Sequence, residues 1–248
     1  METLIIIATG ILGLIVGSFL NVIVLRMNTG YGISGRSRCF SCNKTLRWYE
    51  LIPIMSYVIQ RGKCRHCASP ISPQYFLVEL ITGILFAVVA WAINPIVTPI
   101  TFVLWLLLTS IGMVIAVYDI RHQVIAERPL IIFLAVCIAL GMHGIGFLLV
   151  PLPFLVLWVI SKGKWIGFGD VELMACIGML LGVVLGAGAV VLSFWIACLV
   201  ILPWYGIQKL RKKNVSHKVP FGPFLLVATY IVGLFGFSLF DWILTLIQ

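Results

Sequence analysis

The sequence predicts an all-α polytopic membrane protein of about eight transmembrane helices that carries one small polar insertion. Hydrophobic residues make up 62% of the 248 positions and charged residues only 10%. In a soluble domain roughly 45 to 50% of the residues are apolar and about 25% are charged. The apolar runs are long enough to cross a bilayer, and the basic residues fall only in alternate connections between them. The lipid bilayer is therefore the expected surrounding of the chain.

The eight expected helices follow from the apolar runs and from the Gly, Pro and charged residues that separate them. They are placed at residues 3–25, 74–93, 100–118, 129–143, 146–160, 173–186, 188–206 and 223–246. The first helix is expected to stay in the protein, because Glu2 stands where a cleaved signal peptide would carry basic residues. We divide the chain into a first helix (1–25), an insertion (26–73) and a membrane core (74–248).

The segment 129–160 is ambiguous, because glycines and prolines interrupt its apolar run. A single long span there would invert the rest of the chain and place the basic residues of 207–222 outside, so two short helices are favoured. Small residues at four-residue spacing indicate close helix packing elsewhere. They are Gly13 with Gly17, and Gly178 with Gly182 and Gly186.

The distribution of the 17 Lys and Arg residues orients the chain in the membrane. Residues 26–73 hold eight of them, 119–128 hold two, 161–172 hold two and 207–222 hold five, whereas the other connections hold none. The positive-inside rule then places these four connections in the cytoplasm and both termini outside. This orientation accounts for the net charge of +9, so no nucleic-acid partner is expected.

Four of the seven cysteines lie in the insertion as two CxxC pairs, Cys39 with Cys42 and Cys64 with Cys67. Two such pairs supply the four thiolates that a tetrahedral structural Zn²⁺ site prefers, although the 21-residue spacer slightly exceeds the usual length of roughly 15 to 20 residues. Disulfides are the main alternative, but the predicted orientation places the insertion in the reducing cytoplasm. We therefore expect a small cytoplasmic zinc-binding insertion, with His66 outside the ligand set. The remaining cysteines are expected to pack within apolar helices: Cys137, Cys176 and Cys198.

Acidic residues in or beside membrane helices are costly there, which makes each a functional candidate. These residues are Glu79, Asp119, Glu127, Asp170 and Glu172. Asp119 ends the third predicted helix and Asp170 begins the sixth, so both lie at the cytoplasmic boundary of the membrane. Two close carboxylates cannot both ionise easily. Such a pair can activate water with its ionised member while the protonated member polarises a peptide carbonyl.

A purely structural interpretation of the two aspartates is also available. Asp119 could pair with Arg121 or Arg128, and Asp170 could cap the sixth helix, since Asp is a favoured N-cap residue. The sequence around the second aspartate, residues 167–170, reads Gly-Phe-Gly-Asp. Its two glycines favour chemistry, because they let another backbone approach the carboxylate closely.

Short motifs in a fixed order run through nearly the whole chain. They are residues 13–22, 48–53, Ser56-Tyr57, Arg61-Gly62, the two CxxC pairs, Tyr75, Glu79-Leu80, 167–170 and 219–224. With these motifs the chain resembles the type IV prepilin peptidases, which are bifunctional leader peptidase and N-methyltransferase enzymes of bacterial inner membranes.

This resemblance implies that Asp119 and Asp170 are the catalytic pair of an aspartic endopeptidase and that its zinc is structural. The implied substrate is a prepilin or pseudopilin with a short basic leader, cut after a glycine on the cytoplasmic side. The freed amine, usually of Phe, would then be methylated from S-adenosylmethionine. Asn21, Glu50 and Glu79 are the candidate residues for that step; packing, loop solvation and an ion pair with a loop arginine are their respective alternatives.

Two positions depart from the family pattern. Ala126 follows Ile125 where the family usually has proline, and Glu172 stands where it commonly has lysine. Two other functions compete with the enzyme: a membrane scaffold whose zinc knuckles bind a partner, and a small transporter with the aspartates on a cation path. A scaffold needs no second aspartate at matching depth, and a transporter would carry acids near mid-bilayer, so the enzyme is favoured. Whether the protein forms a homodimer is left open.

Overall fold

The computed structural model describes residues 2–29, 35–141, 143–210 and 219–236, and within them the regular structure is helical apart from two isolated β-bridges. The helices are α1 (Glu2–Arg26), α2 (Met55–Ile59), α3 (Pro73–Ala92), α4 (Pro99–His122), α5 (Glu127–Leu140), α6 (Gly144–Leu149), α7 (Leu152–Ser161), α8 (Phe168–Leu210) and α9 (Gly222–Phe235), with a 3₁₀ turn at Trp48–Glu50. The predicted all-α fold class is confirmed.

Five helical stretches of the described residues are long and apolar enough to cross a membrane. They are α1, α3, α4, the stretch Gly144–Ser161 that comprises α6 and α7, and α8. In the most apolar window of each stretch, between 22% and 44% of the residues are buried inside the protein. Most of this apolar surface faces outward, as expected of helices that are solvated by lipid.

The chain folds into two compact units, Met1–Val114 and Ile115–Gln248, and α4 contributes to both. In the first unit α1 packs along α3. A Cβ added at Gly13 would lie 2.7 Å from Phe86, and one at Gly17 would lie 2.9 Å from Glu79. Later residues of α1 thus meet earlier residues of α3, so the two helices run antiparallel. The close packing predicted for this pair of glycines is confirmed.

In the second unit α8 packs against α5, α6, α7 and α9. α8 is interrupted at Gly182, whose φ of 78° and ψ of −172° are accessible essentially to glycine alone. A Cβ added at Gly186 would lie 3.3 Å from the Cα of Gly178, whereas residues eight apart in a continuous helix are separated by about 12 Å. The chain therefore reverses at Gly182, and α8 is a hairpin of two helical arms, residues 168–181 and 183–210.

The turn before α6 closes the end of the first arm. The carbonyl of Met179 has no partner within a helix that ends there, and it accepts a hydrogen bond of 3.1 Å from the backbone N–H of His143. Gly146 and Gly178 meet backbone to backbone, and an added Cβ at either residue would overlap the other. The glycines that were predicted to allow close packing therefore lie where α6 crosses the hairpin.

The observed reversal differs in position from the predicted one. The sequence places the break near Ala187, whereas the chain turns at Gly182. The residues on both sides are apolar, so hydrophobicity alone does not locate the turn. The turn needs a residue that can adopt a positive φ. Gly182 can do so, whereas the Cβ of Ala187 disfavours this backbone conformation.

Two further helices differ from the predicted bounds. The single helix expected at 146–160 is divided into α6 and α7, because Pro151 lacks the backbone N–H that a continuous helix would need and instead precedes α7. The last predicted helix, 223–246, is observed from Gly222 to Phe235. Its remainder lies outside the described residues.

Candidate active site and metal centre

Asp170 lies in the first turn of α8. Gly167, the residue that precedes this helix, donates its backbone N–H to the Asp170 carboxylate, as in the second half of a capping box. A Cβ added at Gly167 would lie 3.1 Å from Oδ2 of this aspartate, so a side chain there would crowd the carboxylate. The capping contact expected under the structural interpretation is present, but Asp170 makes it from the third helical residue instead of the N-cap.

Asp119 lies near the C-terminal end of α4 and is only 4% exposed. Its Oδ2 accepts a hydrogen bond of 3.0 Å from the backbone N–H of Gly222. Gly222 is the first residue of α9, where backbone N–H groups have no partner within the helix. A local pair with Arg121 or Arg128 does not explain this contact, which joins residues 103 positions apart.

Ile125 lies beside the first residues of both α8 and α9. A Cβ added at Gly169 would lie 2.8 Å from the Ile125 Cβ, and one at Gly222 would lie 2.9 Å from Asp119 Oδ2 and 3.6 Å from the Ile125 Cδ1. The Asp170 carboxylate lies close enough to Asp119 for the two charges to interact. The second unit therefore brings the two predicted aspartates together. Gly167 and Gly222 lie against their carboxylates, where a larger residue would not fit.

Two residues of this cluster, Ile125 and Gly222, are not identified as functional by the sequence. The motif at residues 219–224 marks the region, but it gives Gly222 no role. The amide of Gly222 acts through its backbone, and a residue type does not reveal a backbone hydrogen bond to a residue so far away in the chain.

The four insertion cysteines lie on two loops of the same conformation. In the first loop the Cys39 N–H bonds to the Lys44 carbonyl and the Asn43 N–H bonds to the Cys39 carbonyl; in the second, Cys64 bonds in the same way with Ser69 and Ala68. Asn43 and Ala68 both have positive φ, 56° in each case. Each loop therefore folds as a knuckle that directs two thiols to one side.

The geometry of the thiols fits a tetrahedral metal ion. The four Sγ atoms all lie within 4.8 Å of one another, and Cys39 and Cys67 are 3.8 Å apart. Zn–S bonds of about 2.3 Å in a tetrahedron imply an S···S separation of about 3.8 Å. All four cysteines are free of disulfides, and His66 is not part of the cluster.

The electrostatics of the thiols also favour a cation. The amides of Cys42 and Ser41 donate to the Cys39 sulfur and lower its pKa to about 6. The Lys44 amide acts in the same direction on Cys42, but desolvation and the thiols of Cys39 and Cys67 raise the pKa of Cys42 to about 11. Four neighbouring thiols cannot all lose their protons without a positive charge among them. The residues present thus fit Zn²⁺.

Asn21 lies in the first unit and is fully buried, with 0% exposure. Its side-chain amide donates to the carbonyls of Gly17 and Tyr75, and its oxygen accepts from the Gln74 side chain. The bonds with Tyr75 and Gln74 join α1 to α3 at the ends that are predicted to be cytoplasmic.

Glu50 and Glu79 are 6% exposed each. One Glu50 oxygen accepts from the Arg47 N–H at 2.7 Å, and the other lies 3.8 Å from Nε2 of His66. A Glu79 oxygen accepts from the Ile54 N–H at 2.7 Å. The protein itself therefore engages both carboxylates, and loop solvation does not describe Glu50.

An open cleft of about 920 Å³ lies in the insertion. The residues that line it include Trp48, Tyr49, Arg36, Lys44 and Arg47. The three residues proposed for methyl transfer from the sequence do not line this cleft.

The other cysteines lie within helices, as predicted. Cys137 is 0% exposed and Cys176 is 2% exposed, which fits packing, whereas Cys198 is exposed on the second arm of α8.

Two protein families match the chain. The Bacterial Peptidase A24 N-terminal domain matches residues 11–93, and the Type IV leader peptidase family matches residues 106–205. Between them they cover both the tetracysteine insertion and the two aspartates. No solved structure matches the chain.

Several relatives carry the name prepilin leader peptidase/N-methyltransferase. The chain is 33% identical over 245 residues to one from Bacillus subtilis (strain 168), covering 94% of this chain and 95% of the relative. It is 32% identical to one from Aeromonas hydrophila, and the match covers 85% of this chain and 75% of the relative. It is 35% identical to one from Myxococcus xanthus (strain DK1622), with 73% covered, and spans only 60% of that longer relative. The chain belongs to the type IV leader peptidase family.

Proposed function

We propose that the chain is a membrane aspartic endopeptidase that cleaves the leader of type IV prepilins or pseudopilins on the cytoplasmic side and then methylates the new N-terminus. The family membership and the names of the relatives support both activities. The observation that carries the peptidase is the cluster of Asp119 and Asp170, in which each carboxylate accepts a backbone N–H at the start of a helix.

Two neighbouring carboxylates suffice for peptide hydrolysis. The ionised member takes a proton from a water molecule, whose oxygen then attacks the scissile carbonyl. The protonated member donates a hydrogen bond to the carbonyl oxygen, where negative charge develops. Collapse of the tetrahedral intermediate breaks the C–N bond, and a proton passes from the pair to the leaving amine. The amides of Gly167 and Gly222 orient the two carboxylates during these transfers.

Methyl transfer requires S-adenosylmethionine, which supplies the methyl group when bound. The cleft of about 920 Å³ in the insertion has a volume within the range typical of small-molecule sites, roughly 300 to 1,000 Å³. Trp48, which is 77% exposed, offers an aromatic face for the adenine, and Arg36 and Lys44 offer cations for the carboxylate of the cofactor. Asn21, Glu50 and Glu79 would contribute by positioning the segments around this cleft, because their polar groups already bond within the protein.

The zinc would be structural. Cys39, Cys42, Cys64 and Cys67 would hold it and close all four positions of its tetrahedron, which leaves none for a substrate. Its role would be to fix the two knuckles and thus the walls of the cleft.

We further propose that the protein is a multi-pass protein of the bacterial inner membrane with eight spans and both termini outside. The five apolar stretches, α5, α9 and the reversal within α8 support this count, and the confinement of Lys and Arg to alternate connections supports the orientation. Labelling of single cysteines by a membrane-impermeant reagent in intact cells tests it. Labelling near Asn94, and none near Lys162, is expected, and the reverse pattern would contradict the orientation.

Reconstituting the purified full chain with synthetic prepilins tests the function. Mass spectrometry should detect the mature pilin after incubation with substrate, and a product heavier by one CH₂ once S-adenosylmethionine is added. Failure of every pilin-like substrate to be cleaved would contradict the peptidase, and cleavage without methylation would remove the second activity.

A further inference from the structure

The short helix α2 exposes three large apolar side chains. Met55 is 57% exposed, Val58 is 58% and Ile59 is 61%. They stand at positions i, i+3 and i+4 of the helix, so they share one face. We call these three residues the apolar face of α2. Burial of such a face is favourable by about 25 cal/mol per Å² of apolar surface, and within the described residues more than half of each of these side chains remains exposed.

The opposite side of α2 is attached to the membrane helix α3. The Tyr57 ring lies 5.6 Å from the Phe76 ring, centroid to centroid. Phe76 belongs to the first turn of α3. The apolar face of α2 therefore points away from α3 while the helix itself remains beside it.

The hydrogen bond between Ile54 and α3 shows how deep in the membrane the start of α2 lies. The Ile54 N–H donates to Glu79 Oε2 at 2.7 Å. Glu79 follows Pro73 by six residues, which is about 9 Å along the helix axis. All 20 residues of α3 are needed to cross a hydrocarbon core of about 30 Å. The start of α2 therefore lies level with the first two turns of a spanning helix, where the headgroup region meets the acyl chains.

Glu79 holds this segment in a strained conformation. Ile54 has φ of 61° and ψ of −55°, and the Met55 N–H reaches back to the Pro53 carbonyl at 2.6 Å, which defines a γ-turn. This turn is rare, and a β-branched residue in it is a genuine outlier. The Glu79 carboxylate, which also accepts a hydrogen bond from the Ser18 side chain, satisfies the Ile54 amide that the turn leaves without a backbone partner.

The residues around the segment match an anionic lipid surface. Arg61 and Lys63, which follow the segment directly, are exposed. Basic side chains that flank an apolar helix face are typical of segments that lie on an anionic membrane surface. The same positive charge would repel the basic leader of a prepilin, so lipid is favoured as the occupant of this face.

We propose that the apolar face of α2 is a membrane-docking surface, immersed in the anionic phospholipid leaflet that α3 crosses and seated there by the Glu79–Ile54 hydrogen bond. Docking would fix the insertion against the bilayer while the knuckles stay in water. Glu79 is then a positioning residue for the insertion, a role that does not depend on either enzymatic activity.

Photo-cross-linking of the full chain in nanodiscs that contain phosphatidylglycerol tests this proposal. p-Benzoylphenylalanine is introduced at Val58, and at Phe40 as a matched control, since Phe40 is 82% exposed but lies on the first knuckle. Mass spectrometry should find phospholipid adducts at Val58 at several times the yield at Phe40. Equal yields at both positions, no adduct at Val58, or an adduct to a second copy or to another part of the chain would overturn the proposal.

Variants of Glu79 test whether its hydrogen bond with Ile54 positions α2, with the yield of lipid adduct at Val58 as the measurement. Glu79→Gln keeps an oxygen that can accept the Ile54 N–H and should retain the lipid adduct at Val58. Glu79→Ala should reduce it several-fold while the protein keeps its zinc, and adding Ile54→Gly should restore part of the yield, because glycine adopts the turn without strain. Unchanged yield in Glu79→Ala, or equal loss in Glu79→Gln, would show that the hydrogen bond does not seat the helix.

Discussion

Each of the two aspartates accepts a hydrogen bond from a backbone amide at the beginning of a helix, which restrains the orientation of its carboxylate. Gly167 provides the amide for Asp170, and Gly222 provides it for Asp119. Backbone amides at a helix start cannot rotate away, unlike the long side chain of an arginine. This arrangement favours a preorganised pair over two separate structural contacts.

Replacing either carboxylate by an amide should abolish acid–base catalysis. For Asp119→Asn and Asp170→Asn we expect leader cleavage to fall by about two to four orders of magnitude, because an amide can neither take a proton from water nor donate an acidic one. Glu172→Gln, a change at a neighbouring acid, is the matched control and should stay near normal. Near-normal processing by either aspartate variant would refute the assignment of the pair.

Gly222→Ala tests the amide that holds Asp119. The new Cβ would lie 2.9 Å from Oδ2 and should displace the carboxylate, so we expect kcat to fall by about ten- to a hundred-fold with little change in KM. Gly206→Ala provides the control, because a Cβ there meets no atom within 4 Å. If both variants cleave prepilin at the same rate, the hydrogen bond has no role in positioning Asp119.

At the scale of elements, the hairpin in α8 depends on a single glycine. The first arm, residues 168–181, carries Asp170 at its start and packs against α6 before the chain turns. With 14 residues it is about 21 Å long, shorter than a hydrocarbon core of about 30 Å. The turn at Gly182 therefore limits how far this arm extends from the aspartate.

Gly182→Ala should destabilise this hairpin. A residue with a Cβ at φ of 78° and ψ of −172° costs about 1 to 3 kcal/mol, and we expect the free energy of unfolding in detergent to drop by that amount. Gly144→Ala, where a Cβ meets nothing within 4 Å, should leave it unchanged. Equal stability of the two variants would mean that the chain can reverse elsewhere.

A second prediction at the scale of elements concerns the zinc-binding insertion. The purified protein should contain one Zn²⁺ per chain, and serine at Cys39, Cys42, Cys64 and Cys67 together should abolish it and expose the insertion to proteases, because metal binding supplies much of the folding energy of so small a segment. Elemental analysis and limited proteolysis check this. Zinc-free protein, or unchanged protease resistance in the quadruple variant, would contradict it.

The helices and the chemistry-bearing side chains of the molecule are predictable from sequence because each has a local signal. The apolar runs predict the helices, the CxxC pairs predict the knuckles, and the depth of Asp119 and Asp170 predicts that they can meet. The bond from Gly222 to Asp119, the turn at Gly182 and the γ-turn at Ile54 are not predictable in this way. They arise from backbone conformation and long-range contacts, which residue types alone do not specify.

For the whole molecule, the two compact units separate the two candidate chemistries. The tetracysteine cluster, the cleft, Glu50 and Glu79 belong to the unit Met1–Val114, and the two aspartates belong to the unit Ile115–Gln248. The two matched families divide the chain in a similar way, at residues 11–93 and 106–205. Damage to one unit should therefore affect the two activities unequally.

We expect changes in the first unit to reduce methylation more than cleavage. Proteolysis needs the aspartates, a water molecule and an extended substrate, whereas methyl transfer also needs a site for the cofactor, which the insertion is suited to enclose. Single Cys→Ser changes at the knuckles and Glu79→Ala, which removes the acceptor of the Ile54 N–H, should therefore lower the methylated fraction of processed pilin by more than they lower the cleavage rate. Asp119→Asn, applied to substrate that is already cleaved, should leave methylation intact. Mass spectrometry of the mature N-terminus measures both, and proportional loss of the two activities across these variants would show that they depend on one shared site.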